Sequence, residues 1–331
     1  MGGILVTGGA GYVGSACCAQ LVDRGFPVEV VDDLSTGHAD AIPNGVTLHR
    51  FDLGDRDALA NLLAWKKFDV VFHFAAKALI SESVVNPGLF FDANVASSIA
   101  MLEVLRTHGV RKFVFSSSAA VYGTPRAVPI DEDHATEPVN AYGESKLILE
   151  RILRWYALSY GWSVVAFRYF NASGGGRKWG ERHDPETHII PLLLQTASGR
   201  REYFEIYGSD YPTPDGTCVR DYVHVMDIAD AHILAMQKMD LPGCHVYNIG
   251  TGRSYSVQEV CQAAEEATRK RIKLRRAPRR LGDPAILCAN PTKLMNEFGW
   301  APSHSELREI MKGAWDWEQE QCKHVLAKQA D

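Results

Sequence analysis

Tyr142 and Lys146 stand four positions apart in Asn140-Ala141-Tyr142-Gly143-Glu144-Ser145-Lys146. On a helix turning every 3.6 residues this spacing puts both side chains on one face. A free tyrosine ionises near about pH 10, too high for a base at neutrality, but an adjacent ammonium favours the phenolate. The pair therefore has the makings of a tuned general base. The same spacing occurs in ordinary amphipathic helices, so the surrounding chain must decide. Ser116, Ser117 and Ser118 follow the strand-like run Lys112-Phe113-Val114-Phe115 and offer hydroxyls that could orient a substrate oxygen. His183 and His188, with Asp184 and Glu186 nearby, have metal-ligand side chains, but no further cluster with ligand spacing supports them and no metal is expected. The seven cysteines are scattered without a C-x-x-C pair and read as small buried hydrophobes.

The elements that must position these groups alternate. Gly2-Gly3-Ile4-Leu5-Val6-Thr7 predicts a buried strand, and Gly8-Gly9-Ala10-Gly11-Tyr12-Val13-Gly14 turns it into a helix. Such glycines let a backbone approach a pyrophosphate, which the helix N-terminus then faces with N–H groups and a positive dipole end. A second strand, 28–31, ends in Asp32, a carboxylate able to accept both hydroxyls of an adenosine ribose and to repel a 2′-phosphate. NAD is therefore favoured over NADP, with Asp33, Leu34 and Ser35 beside it. Strands follow at 46–51, ending in Asp52-Leu53 where adenine could lie, and at 68–74, running into Phe74-Ala75-Ala76-Lys77. A helix over about 88–108 contains Asn94, whose buried amide needs partners. The predicted fold class is α/β, a Rossmann-type doubly wound parallel sheet with a smaller mixed α/β substrate-binding lobe. Residues 1–170 are expected to form the NAD domain, with some later segments returning to it, and 171–331 mainly the substrate lobe.

Hydrophobic residues at 46% and charged residues at 23% describe a globular chain, and 331 residues can bury a large core. A formal net charge of -5 gives no overall attraction for nucleic acid or an anionic membrane. No apolar run of membrane-spanning length stands out, and the first residues enter a folded motif directly, so a cytoplasmic compartment is expected.

Taken together, several motifs resemble the extended short-chain dehydrogenase/reductase family and, within it, the UDP-glucose 4-epimerase branch. They include Thr7-Gly8-Gly9-Ala10-Gly11-Tyr12-Val13-Gly14-Ser15, His73-Phe74-Ala75-Ala76, Arg168-Tyr169-Phe170-Asn171, Val219-Arg220-Asp221-Tyr222-Val223-His224-Val225 and Pro278-Arg279-Arg280-Leu281-Gly282-Asp283. The resemblance implies a retained NAD, with Tyr142 taking the proton from a sugar 4-hydroxyl, Ser118 bonded to the same oxygen, and Lys146 also holding the nicotinamide ribose. A 4-keto sugar would turn over in the pocket before reduction on its other face. For the cofactor it implies Gly8, Gly11, Tyr12, Val13, Asp32, Asp33, Leu34, Ser35, Asp52, Leu53, Phe74, Ala75, Ala76, Lys77, Asn94 and Phe170. For a UDP-sugar it implies Asn171, His188, Ile189, Glu205, Ile206, Tyr207, Arg220, Arg280, Asp283 and Leu287, the arginines gripping the diphosphate and Tyr207 offering a ring to the base. Pairing of two copies through the helices around 92–108 and 141–160 is also implied, so a homodimer is expected.

Departures from the family pattern leave open the contact of Lys77, the role of the loop 174–183, and the effect of Leu287 on C2-acetamido sugars. Epimerisation of another UDP-sugar, such as UDP-N-acetylgalactosamine or UDP-xylose, stays a second reading. A dehydratase would need a further acid and base beside Ser118, and Ser117-Ser118-Ala119-Ala120 offers no carboxylate there. A non-catalytic dinucleotide sensor could dispense with Tyr142, Lys146 and the sugar anchors, all of which this chain retains.

Overall fold

The structure, a computed structural model, describes residues 2–330 except 177, 178, 240, 281 and 282, with only the backbone given for 324–330. Leu281 and Gly282 of the arginine motif and two residues of the loop 174–183 thus lie outside the described residues. The strands are β1 Gly3–Thr7, β2 Val28–Val31, β3 Thr47–His49, β4 Phe68–His73, β5 Lys112–Ser118, β6 Ser163–Tyr169, β7 Asn171–Ser173, β8 Phe204–Tyr207, β9 Val219–His224, β10 Gly243–Ile249, β11 Ser254–Ser256, β12 Leu274–Ala277 and β13 Ile286–Leu287. The helices that matter below are α1 Tyr12–Asp23, α2 Arg56–Trp65, α3 Ile80–Val85, α4 Pro87–Phe91, α5 Ser97–Thr107, α6 Ala141–Tyr160, α7 Ile189–Ser198, α8 Val225–Lys238 and α9 Val257–Thr268.

Seven strands form one parallel sheet in the order β10-β6-β5-β4-β1-β2-β3. Strand order therefore reverses at β1 and β4, which opens a crevice beyond their carboxyl ends. Alternate residues of each strand feed two cores: Ile4, Val6, Phe72 and Val114 pack on the α1 and α8 side, while Leu5, Val71, Phe113 and Phe115 pack toward α2, α5 and α6. Burial on both faces explains why these strands read as apolar runs rather than as alternating patterns. The later strand β10 completes this sheet, so the chain returns to it after leaving. The remaining strands and α7 and α9 surround a third core, which includes Ile190, Leu193, Phe204, Tyr222 and Val260.

Residues 87–107 run as one helical stretch, α4, a wide turn at 92–96 and α5. Contrary to the sequence expectation, Pro87–Thr107 is long and apolar enough to match a membrane span by composition, but 44% of that window is buried inside the fold. It packs against α2 and α6, which is the ordinary reason for such apolarity in a core helix.

Three buried histidines make the fold acid-sensitive. His73 sits between the Thr7 hydroxyl at 2.7 Å and Ser98 at 3.1 Å, and His232 touches Tyr169 Oη at 2.8 Å. Burial lowers the pKa of His73 to about 3, and those of His224 and His232 to about 4. The unfolded chain takes up these protons below about pH 6.5 and the folded chain does not, so stability falls as pH drops from about 6.5 toward 4. Each group contributes a slope of up to about 1.4 kcal/mol per pH unit. Urea unfolding at pH 7 and pH 5 should show this loss, and equal midpoints would refute it.

Candidate active site

Along one wall of the crevice, the glycine turn after β1 meets the segment after β4. Gly8 has φ +73°, and a Cβ there would lie 2.4 Å from the Ala75 nitrogen, so only glycine fits. The first turn of α1 carries no side-chain cap, and Gly11, Tyr12 and Val13 line the cavity at that point. Asp32, at the end of β2, accepts from the backbone N–H groups of Ala10 and Leu34, both at 2.9 Å. It thereby ties the glycine turn to the strand end, and burial raises its pKa while these two bonds lower it. Lys77 Nζ reaches the Ser35 hydroxyl at 3.4 Å across the crevice.

On the opposite wall, α6 begins at Asn140, whose side chain accepts from the Gly143 N–H at 2.8 Å. This cap fixes the first helical turn and hence Tyr142. Tyr142 lies beside Ser118, whose hydroxyl accepts from the Ala120 N–H at 3.1 Å. Burial raises the Tyr142 pKa, and a bond donated by the Ser118 hydroxyl would lower it. Phe90 packs edge-on to the Tyr142 ring, with centroids 6.5 Å apart.

Lys146 departs from its sequence expectation. Its Nζ lies 5.8 Å from the Tyr142 ring centre and donates to the Ser116 carbonyl at 2.7 Å. Burial pulls its pKa down to about 7, against the opposing pull of Glu150, and burial raises the Tyr142 pKa. A fixed ammonium lowering the phenol by itself is therefore not what the protein alone provides. The reason is desolvation: both groups leave water together, and each is pushed toward its neutral form.

The cavity between the walls has a volume of about 1450 Å³. That exceeds the roughly 300–1,000 Å³ of a single small-ligand site and suits two nucleotide-sized ligands. Of the sequence-predicted cofactor residues, Gly8, Gly11, Tyr12, Val13, Asp32, Asp33, Ser35, Asp52, Leu53, Phe74, Ala75, Ala76, Lys77 and Phe170 line it. So do Tyr142, Lys146, Ser118, Asn171, His188, Ile189, Glu205, Tyr207, Arg220, Arg280, Asp283 and Leu287. A bare glycine cradle, an acid at the second strand end and this volume together fit a dinucleotide.

Leu34, Asn94 and Ile206 are not among the residues that line the cavity. Leu34 lies in the turn that closes on Asp32, with φ +62°. Asn94 is buried and its amide is used up: Oδ1 accepts from the Lys77 N–H at 2.8 Å, while Nδ2 donates to the Lys77 carbonyl and to Ser145, both at 3.0 Å. It positions the Lys77 backbone against α6. Ile206 alternates inward on β8 and joins the third core, leaving its neighbours Glu205 and Tyr207 to face the cavity.

At the far end, Arg280 stacks on the Tyr207 ring at 3.9 Å, and Tyr207 donates to Glu205 at 2.7 Å. Arg220 lies 3.7 Å from Asp283. Two guanidinium groups thus reach the cavity beside acceptors that can yield to an anionic ligand. Asn171 is held by a bond from Nδ2 to the Asp221 carbonyl at 2.8 Å. Sequence reasoning missed Thr36 and Gly37, which also line the cavity. A Cβ on Gly37 would come within 2.9 Å of both Ala10 and Asp32, a contact that no local pattern announces. It also missed Glu181 and the Tyr12 hydroxyl, which donates to the Gly174 carbonyl at 2.6 Å and ties the glycine turn to the loop 174–183.

The model of the NAD dependent epimerase/dehydratase family matches residues 4–250. A UDP-glucose 4-epimerase of Corynebacterium glutamicum is 44% identical over 312 residues, 94% of each chain. A crystal structure of UDP-glucose 4-epimerase from Brucella ovis in complex with NAD is 40% identical, with a TM-score of 0.92 over 95% of this chain and 98% of that one. The Bifidobacterium longum UDP-glucose 4-epimerase in complex with NAD+ and UDP is 35% identical, with a TM-score of 0.92 over 96% and 98%.

Proposed function

Since the chain belongs to the NAD dependent epimerase/dehydratase family, we propose that it is an isomerase that interconverts UDP-glucose and UDP-galactose with bound NAD. The observation that carries this reading is that Tyr142 and Ser118, at the sheet edge, line one cavity with the glycine cradle and the two arginines. When bound, NAD supplies a two-electron acceptor for the hydrogen at sugar C4 and a positively charged nicotinamide ring.

The chain's own residues do the rest. Tyr142 takes the proton of the 4-hydroxyl and later returns it, and Ser118 holds that oxygen and the phenol in line. Lys146, partly charged near neutrality, adds positive charge when protonated and binds the nicotinamide ribose. Gly8, Gly11, Tyr12 and Val13 hold the pyrophosphate, Asp32 and Asp33 the adenosine ribose, and Asp52 and Leu53 the adenine. Phe74, Ala75, Ala76, Lys77, Ser35 and Phe170 complete the cofactor wall. Arg220 and Arg280 grip the UDP diphosphate as planar donors. Asp283 takes the ribose, Tyr207 and Glu205 take the uracil, and Asn171, His188, Ile189 and Leu287 border the nucleotide sugar. Strong hold at the nucleotide with few fixed bonds at the hexose lets the keto sugar present either face. The division that goes with this puts 1–170 and the returning β10 under NAD, and most of 171–331 under the UDP-sugar.

The exposed Phe91, Trp155 and Leu158 near the α4 and α6 faces support pairing of two copies, and seven free thiols suit a cytoplasmic setting. The test is conversion of UDP-galactose to UDP-glucose by purified protein without added NAD, with UDP-N-acetylgalactosamine and UDP-xylose as parallel substrates. Turnover of UDP-galactose is expected; its absence even with added NAD would overturn the assignment. Light scattering on that preparation reads the pairing as a mass of two chains rather than one, and cell fractionation reads the compartment.

A further inference from the structure

The segment leading into α7 gathers four ligand-type side chains in eight residues, Glu181-x-His183-x-x-Glu186-x-His188. One donor atom from each lies within 4.8 Å of all the others. Glu181 Oε1 stands 3.0 Å from His183 Nδ1 and 2.7 Å from His188 Nδ1, and His188 Nδ1 is 2.9 Å from Glu186 Oε1. The carboxylate side chains are only 7% and 6% exposed. We propose that these four residues form a binding site for one zinc ion, which fastens this loop to the head of α7.

Charge and geometry both suit a dication. Two carboxylates and two neutral imidazoles balance a double positive charge. Zinc bonds of about 2.0–2.1 Å in a tetrahedron set ligand atoms roughly 3.3 Å apart, between the three contacts of 2.7, 2.9 and 3.0 Å and the 4.8 Å that bounds the other pairs. Mixed imidazole and carboxylate donors favour zinc over magnesium or calcium, which prefer oxygen alone. Four protein ligands make this a closed, structural site rather than one with an open catalytic position.

The loop is already anchored where such an ion would brace it. Trp317 Nε1 donates to the Glu181 carbonyl at 3.0 Å, the Arg182 carbonyl lies 3.2 Å from His38 Nε2, and Arg182 pairs with Asp40 at 2.7 Å. His188 is the residue before α7, so fixing it sets where Ile189 meets the cavity. The sequence pointed to no metal at His183, Glu186 and His188, because Glu181 supplies the missing ligand, while Asp184, nearer in sequence, is not part of the group.

The inference does not rest on the epimerase reading, and its test reads the metal directly. Purified holoenzyme is stripped with EDTA, dialysed against zinc chloride, washed, and assayed for zinc per chain and for its unfolding temperature. One zinc per chain, a higher unfolding temperature with zinc than without, and at least a tenfold loss of zinc affinity in His183→Gln are expected. The unaltered protein carries the test should that variant fail to fold, because its cobalt(II) form must show the visible bands of a four-coordinate site. Absence of retained zinc in the unaltered protein, octahedral cobalt bands, or undiminished zinc in a folded His183→Gln would overturn the proposal. Epimerase activity is measured separately, so a zinc-loaded but inactive protein would count against the catalytic assignment and not against this site.

Discussion

Tyr142→Phe is expected to lower the turnover of UDP-galactose by about 10²–10⁴-fold, the contribution of a positioned acid–base group. The variant removes one oxygen and little else. The ring keeps its packing against Phe90, Asn140 still caps α6, and the UDP anchors Arg220 and Arg280 lie elsewhere in the cavity. Ser118 keeps the bond from the Ala120 N–H. KM should therefore change little while kcat collapses, the pattern of an interaction made chiefly in the transition state. Steady-state kinetics with a UDP-binding measurement separates the two. Retention of full kcat would remove Tyr142 from the chemistry, and loss of UDP binding would assign it a structural role.

The protonation states around this residue were the least legible part of the site. A tyrosine and a lysine four apart are visible in the sequence, and so is the helix that aligns them. What the sequence could not show is that Lys146 would be buried and bonded to Ser116 from the neighbouring strand, which brings its pKa to about 7. Desolvation depends on everything packed around a group, and that is settled only when β5 and α6 meet. The glycine turn and Asp32 were legible for the opposite reason, since their geometry is set by a few consecutive backbone angles and one strand end. The sheet was legible too, because strands covered on both faces write themselves as apolar runs. Side-chain direction was harder. Ile206 sits between two cavity-facing residues yet points the other way by strand alternation, and the partners of the Asn94 amide, Lys77 and Ser145, come from separate segments of the chain. Glu181 gains its partners from a loop whose path no periodicity encodes.

Glu150 passed unnoticed in the sequence for the same reason, and its replacement is expected to cost substantial stability. It lies one turn beyond Lys146 on α6. Its Oε1 accepts from Ser117 at 2.5 Å and from Arg168 Nε at 3.0 Å, and its Oε2 accepts from Arg168 Nη2 at 2.7 Å. The side chains of Arg168 and Glu150 are 7% and 6% exposed, so this two-pronged pair joins α6 to β6 and, through Ser117, to β5 in dry surroundings. Among the described residues, Glu150→Ala leaves the buried guanidinium with the Glu132 carbonyl at 3.3 Å and the Tyr122 ring at 4.8 Å as partners. Breaking one side of such a pair costs about 3–5 kcal/mol, which urea unfolding of the purified variant would read as a lower midpoint. A loss below about 1 kcal/mol would place the pair among those whose desolvation nearly cancels their attraction. Glu150→Gln keeps the shape and removes the charge that raises the Lys146 pKa. In that variant the pKa of Lys146 falls further, and any limb of the pH–rate profile set by Lys146 losing its proton moves to lower pH. A profile unchanged in Glu150→Gln would confine Glu150 to holding the fold; a displaced one makes it the residue through which the helix sets the charge beside Tyr142.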